Sequence, residues 1–278
     1  MSTNSTAYNP EAIAAYFDEF ASKEWDRLTI TPVDEVSLYL HSHYLQTYVK
    51  SGQRVLEIGA GAGRFTQILA RIGARILTAD ISKVQLDLNR QFAHNLGFAS
   101  QVEGWQRLDI CQMDDLAANS FDSVVAYGGP FSYVLDRRKE ALAECWRVLK
   151  PGGLLFSSVM MLWGSAHRGL PGVLAVPAAN NKMITTTGDL TPETMNGRLQ
   201  AMHLFRAQEY RTFLENAGLE IVNLSASGCL CLGWQNQLAE MRKDTGLWAE
   251  LLRLELEASA EPGCLDMGTH LIAVCRKP

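Results

Sequence analysis

At 278 residues the chain is long enough for a full α/β core with an appendage, and its net charge of −5 includes no dense basic block that would favour a nucleic acid backbone. No apolar run approaches membrane-spanning length, and the opening Met1-Ser-Thr-Asn-Ser lacks the basic-then-apolar order of a signal peptide, so a cytoplasmic protein is expected. The six cysteines (111, 145, 229, 231, 264, 275) contain no Cys-x-x-Cys pair and read as buried thiols, without metal or disulfide, with Cys229 and Cys231 alternating along a strand.

Asn9 and Pro10 read as the cap and first residue of a helix whose apolar stripe is Ile13, Tyr16, Phe17 and Phe20, with Trp25 following. A second helix is predicted from about Val33 to Lys50. It contains His41 and His43, but positions i and i+2 of a helix do not face one another and no third ligand follows, so the pair reads as structural.

Next comes Val-Leu-Glu-Ile-Gly-Ala-Gly-Ala-Gly-Arg-Phe-Thr, from Val55 to Thr66. Val55, Leu56 and Ile58 suit a buried parallel strand, and Gly59, Ala60, Gly61 and Gly63 form a turn. Phe65, Ile68, Leu69 and Ile72 then share one helical face, closed by Gly73. A dinucleotide fingerprint would need glycine where Arg64 or Thr66 stands, and a phosphate loop would need Gly-Lys-Ser/Thr. What remains is Glu-x-Gly-x-Gly-x-Gly, with Glu57 at the strand end to repel phosphate and attract a cation. This stretch resembles motif I of the class I S-adenosylmethionine-dependent methyltransferases, of the small-molecule type. The resemblance implies S-adenosyl-L-methionine as cofactor, with Glu57 at its amino acid end. It also implies an aromatic N-terminal helix closing over it, with Tyr16 or Trp25 in contact.

A second strand, Arg75 to Asp80, ends on an acid about twenty residues beyond the first glycine. In nucleotide-binding βαβ units an acid at that spacing accepts from both ribose hydroxyls; Ser82 then caps the next helix, whose stripe is Val84, Leu88, Phe92 and Leu96. A third strand, Val102 to Leu108, delivers Asp109. By the same resemblance Asp109 accepts from the adenine amino group, between apolar Ile81 and Ile110. The fourth strand, Phe121 to Tyr127, ends in Gly128-Gly129-Pro130, where the resembling nucleic acid enzymes carry a base-stacking motif. The departure suggests a tight wall for a small acceptor, lined by Tyr127 and Tyr133. A helix from Lys139 to Leu149 stops at Lys150-Pro151-Gly152-Gly153, before an apolar strand from Leu154 to Met161; this junction is a further match to the family.

Beyond Met161 no period is sustained to about Leu190, and a stretch this long reads as a functional lid. His167 and His203 are candidate bases there, with Tyr127 near the transferred methyl. A helix from Arg206 to Ala217, a strand from Leu219 to Ser227, a helix marked by Leu247, Leu251, Leu254 and Ala258, and a strand from Thr269 to Arg276 complete the chain.

The expected fold is α/β: a doubly wound, Rossmann-like, seven-stranded and mostly parallel sheet, with the last strand antiparallel. Its expected parts are an N-terminal helical cap (1–50), a cofactor-binding core (51–161), an acceptor-binding lid inserted after the fifth strand (162–205) and the rest of the sheet (206–278). The expected reaction is in-line methyl transfer to an oxygen or nitrogen of a small metabolite, without metal, membrane or nucleic acid. An RNA methyltransferase, a non-catalytic cofactor-binding protein and a nicotinamide-dependent oxidoreductase stay open as alternatives, the last weakened by the absence of any Tyr-x-x-x-Lys. The identity of the acceptor and the oligomeric state are not written in the sequence.

Overall fold

The computed structural model describes residues 7–195 and 200–278. The opening residues read above against a signal peptide, and residues 196–199 of the expected lid, lie outside the described residues. Seven strands build the main sheet: β1 (Arg54–Ile58), β2 (Arg75–Asp80), β3 (Val102–Arg107), β4 (Phe121–Ala126), β5 (Leu149–Met160), β6 (Glu220–Ala226) and β7 (His270–Arg276). Their order is β3-β2-β1-β4-β5-β7-β6. The first five strands pair in parallel, and β7 inserts antiparallel between β5 and β6. The strand order reverses at β1 and β4, which opens a crevice beyond their carboxyl ends.

Side-chain alternation sends the runs in β1 and β4 to opposite faces. Leu56, Ile58 and Val124 pack on one face with Leu142 and Cys145 of the helix Arg138–Val148 and with Tyr210 and Leu214 of Ala207–Asn216. Val55 and Val125 pack on the other with Leu40 and Leu45 of the helix Pro32–Tyr48 and Leu69 of Arg64–Ile72. Thr31 caps the helix Pro32–Tyr48 through a reciprocal pair with Asp34. That cap fixes the stripe Val33, Val36, Ser37, Leu40, His41 and Tyr44 against the sheet.

Three features of the fold go beyond or against the sequence reading. Strand β5 begins at Leu149 rather than Leu154, because the Pro151-Gly152-Gly153 bulge still pairs with the chain end: Gly152 N donates to Lys277 O at 2.7 Å and Lys277 N to Gly153 O at 2.9 Å. Cys229 and Cys231 lie in a bend, not a strand, their amides gathered by the buried Glu255 carboxylate. The segment after Met161 is not coil: it forms helices Leu162–Arg168, Leu170–Leu174 and Ala178–Thr187, then a ribbon pairing Asp189–Leu190 with Met202–His203. Only Leu162, Ile184, Met202 and Leu204 form its buried cluster, while Trp163, Leu170, Leu174 and Met183 stay exposed, so no helical stripe stands out in the sequence. Among the described residues no helix is long and apolar enough to cross a membrane.

Candidate active site

The crevice beyond β1, β2 and β4 encloses about 920 Å³, counting its open mouth. Its floor is the turn Gly59–Gly63. A side chain at Gly59 would meet Pro130 Cγ at 2.8 Å and one at Gly63 would meet Asn89 Nδ2 at 2.8 Å, and both residues have positive φ, +69° and +103°. Only glycine satisfies both demands.

Beside the turn stands Asp80, with one carboxylate oxygen accepting from Gly61 N and the other from Ser82 N, each at 2.8 Å. Burial raises its pKa to about 6, against those amides, which lower it. Ser82 caps the following helix, as its position predicts, and accepts from Gln85 N at 3.0 Å. Ile81, Leu108 and Ile110 supply an apolar slot on the Asp80 side of the cleft. Asp109 is placed between the last two but does not line the cleft; its Oδ1 accepts from Tyr8 Oη at 3.0 Å and Cys111 N at 2.8 Å.

Glu57 is not in the cleft. It is buried beneath the turn, because alternation in β1 sends it to the face opposite Ile58. There it ends a relay that the sequence did not reveal. Trp105 Nε1 donates to Asn89 Oδ1 at 3.0 Å, Asn89 Nδ2 to Thr66 Oγ1 at 2.9 Å, and Thr66 Oγ1 to Glu57 Oε2 at 2.6 Å. Among the described residues Glu57 Oε1 has no hydrogen-bond partner, and burial drives the carboxyl pKa to about 8. Glu57 therefore supports the turn from below.

The N-terminal segment roofs the cleft, but with other residues than expected. Tyr8, Ile13, Phe17, Glu24, Arg27 and Leu28 line it, whereas Tyr16 and Trp25 do not. Ile13 and Phe17, four residues apart, share the inward face of the helix Pro10–Phe20, and Tyr16 sits to one side against Phe17 and Phe20. Trp25 stacks on Phe92 at 4.1 Å under the Arg64 guanidinium, so it fastens the roof rather than facing the ligand. Gln85 adds a second fastening by donating to Phe17 O at 2.9 Å and Ala21 O at 3.2 Å.

Tyr127, Gly128, Pro130 and Tyr133 form the wall at the tip of β4. The Tyr127 hydroxyl is buried without a partner, and burial holds its pKa far above the usual phenol value, so it stands as a neutral wall and not a base. Neither histidine predicted as a base reaches this wall. His167 is exposed on the insert. His203 is buried with Nδ1 at 2.7 Å from Asp189 and Nε2 at 2.7 Å from Glu209, which leaves neither nitrogen free for a substrate. The insert reaches the cleft through Tyr133, which lines the cavity and packs on the insert's apolar cluster.

These residues fit a cationic nucleoside. The glycine floor leaves room for close backbone approach, and Asp80 offers a carboxylate that burial and the neighbouring Glu24 hold above the ordinary carboxylate pKa. A bound cation would offset that repulsion, whereas a phosphate would add to it.

Residues 56–157 match the family described as a methyltransferase domain. The chain therefore carries a methyltransferase domain over that stretch. Over 227 residues, covering 80% of this chain and 87% of the relative, the methyltransferase is 27% identical to a ubiquinone biosynthesis O-methyltransferase of Nitrosococcus oceani. It is 28% identical over 191 residues to a ubiquinone/menaquinone biosynthesis C-methyltransferase of Haemophilus ducreyi, covering 63% of this chain and 67% of that one. A solved S-adenosylmethionine-dependent methyltransferase from Methanosarcina mazei has the same fold, with a TM-score of 0.57 at 19% identity over 84% of this chain and 96% of that one.

Proposed function

We propose that this methyltransferase acts in the cytoplasm on an oxygen or nitrogen of a small molecule. The observation that carries the reading is one continuous cavity with a glycine-floored, acidic end and an aromatic end walled by Phe17, Phe65, Tyr127 and Tyr133. The names of the two relatives, both of quinone biosynthesis, support a small acceptor. Six free cysteines suit a reducing compartment.

In this reading Asp80 accepts from the ribose hydroxyls, Ile81 and Ile110 sandwich the base, and the backbone of Gly59, Ala60, Gly61 and Gly63 borders the amino acid end. When bound, S-adenosylmethionine supplies a methyl group on a sulfonium that leaves as a neutral thioether with the bond's electron pair. The remaining work of the protein is alignment and exclusion of water. The described residues of the roof (1–50) shut the core 51–161 from solvent, and those of the insert (162–205) shape the acceptor end through Tyr133, against the remaining sheet 206–278.

Calorimetry with S-adenosylhomocysteine and with NADH tests the cofactor, with binding of the first alone expected. Binding of NADH alone would overturn the reading. Label from tritiated cofactor is expected in small-molecule extracts; label in RNA would move the acceptor class.

A further inference from the structure

Beside the main cleft lies a small recess, called its side branch below, that no sequence motif marked. It is lined by Arg27, Leu28, Ser37, His41, Phe65, Gly128 and His270, and it shares Arg27, Leu28, Phe65 and Gly128 with the cleft. The branch has room for about one hydroxyl-sized group.

His41 is its most defined member. The ring is 3% exposed, edge-on to Tyr127 at 4.7 Å, with His270 beyond it at 6.1 Å between ring centres. Its Nδ1 lies 2.8 Å from Ser37 O, which can only accept, so the hydrogen sits on Nδ1 and Nε2 keeps its lone pair. Among the described residues Nε2 has no hydrogen-bond partner. Burial lowers the His41 pKa to about 4 and pushes His270 well below its usual value, so both rings are neutral at working pH.

The charges that face the two rings are Arg27 and Arg168, paired with Glu24 at 2.8 Å and Asp34 at 2.7 Å respectively. The branch lining itself contains no carboxylate. An ammonium group placed there would meet the Arg27 guanidinium, already paired with Glu24, and no carboxylate in the lining to accept it. A hydroxyl would instead find a lone pair to donate to, and negative charge developing on its oxygen would be favoured.

We infer that the branch holds the reacting hydroxyl of an aromatic alcohol, with His41 Nε2 as its hydrogen-bond and proton acceptor. This rests on the methyl-transfer reading and narrows it from oxygen or nitrogen to oxygen. The hydroxyl oxygen gains the methyl and gives its proton to His41, so one sulfonium cation disappears as one imidazolium forms. That imidazolium, with its low pKa, returns the proton to solvent. His270 orients the same oxygen.

The test uses the full-length protein saturated with S-adenosylhomocysteine and titrated with phenol, catechol or 4-hydroxybenzoate. Histidine ring 15N spectra and calorimetry are the readouts. The expected result is a shift confined to His41 Nε2 and His270, with at least one probe bound about tenfold more weakly by His41→Ala. Both proteins should bind S-adenosylhomocysteine with affinities within about twofold. His41→Gln, which keeps an acceptor but no base, should restore probe binding without restoring methyl transfer. If S-adenosylhomocysteine binds but no probe does, or His41→Ala binds every probe as tightly as the parent, this inference falls and the cofactor reading stands. If S-adenosylhomocysteine itself fails to bind, the cofactor reading falls first.

Discussion

The two ends of the cleft are built on opposite plans. At the glycine-floored end a contiguous turn and the tips of adjacent strands do the work, and even the Asp80 side chain is fixed by backbone amides of Gly61 and Ser82. At the aromatic end Arg27, Phe65, Tyr127 and Tyr133, with His41 and His270 of the recess beside it, come from separate elements. The first plan is set by local geometry and suits an invariant ligand. The second depends on how helices pack, so its chemistry changes with single side chains.

The largest effect that would sharpen this contrast lies under the turn. Glu57 titrates near 4.5 when unfolded and near 8 when folded, so between those values the folded protein holds a proton that the unfolded chain has released. Its contribution is complete below the unfolded value and is lost as pH rises through the folded one, about 5 kcal/mol in all, most of it between pH 5 and pH 8. Urea unfolding at pH 5 and pH 8 should show this fall in the parent and a flatter profile in Glu57→Gln; equal slopes would mean that the carboxyl is not desolvated.

Next in size is Asp80→Asn, expected to weaken S-adenosylhomocysteine about 100-fold, about 2.7 kcal/mol by calorimetry. An unchanged Kd would remove the acid from ribose recognition and break the distinction between the two ends.

Smaller still is His203→Gln, which disrupts the contacts with Asp189 and Glu209. It should cost about 1–2 kcal/mol of stability with kcat/KM within about twofold of the parent. A collapse of turnover without loss of stability would return His203 to the chemistry. His167→Ala should change neither quantity, because the ring is exposed outside the cleft.

The helix Lys83–Asn95 shows why the sequence disclosed one plan and not the other. Its apolar stripe pointed to Val84, Leu88, Phe92 and Leu96, yet Val84 and Leu96 are exposed, and the buried face carries Gln85, Leu86, Asn89 and Ala93. Gln85 holds the roof and Asn89 holds Thr66, roles that no hydrophobic period can register. The last helix behaves alike: Leu247 and Leu254 face solvent, and Trp248, Leu251 and Leu252 pack inward. His41 was legible only as half of a His-x-His pair, since its partners at Tyr127 and His270 are distant in sequence.

By itself the sequence determined the glycine turn, the acid ending β2, the strand periods and hence the sheet, because each depends on residues within a few positions of one another. Which aromatics roof the cleft, that Glu57 lies beneath it and that His41 rather than His203 lines the recess beside it were decided only by tertiary packing. Packing sets which face of a helix is turned inward and which distant side chains meet, and a one-dimensional pattern leaves both undetermined.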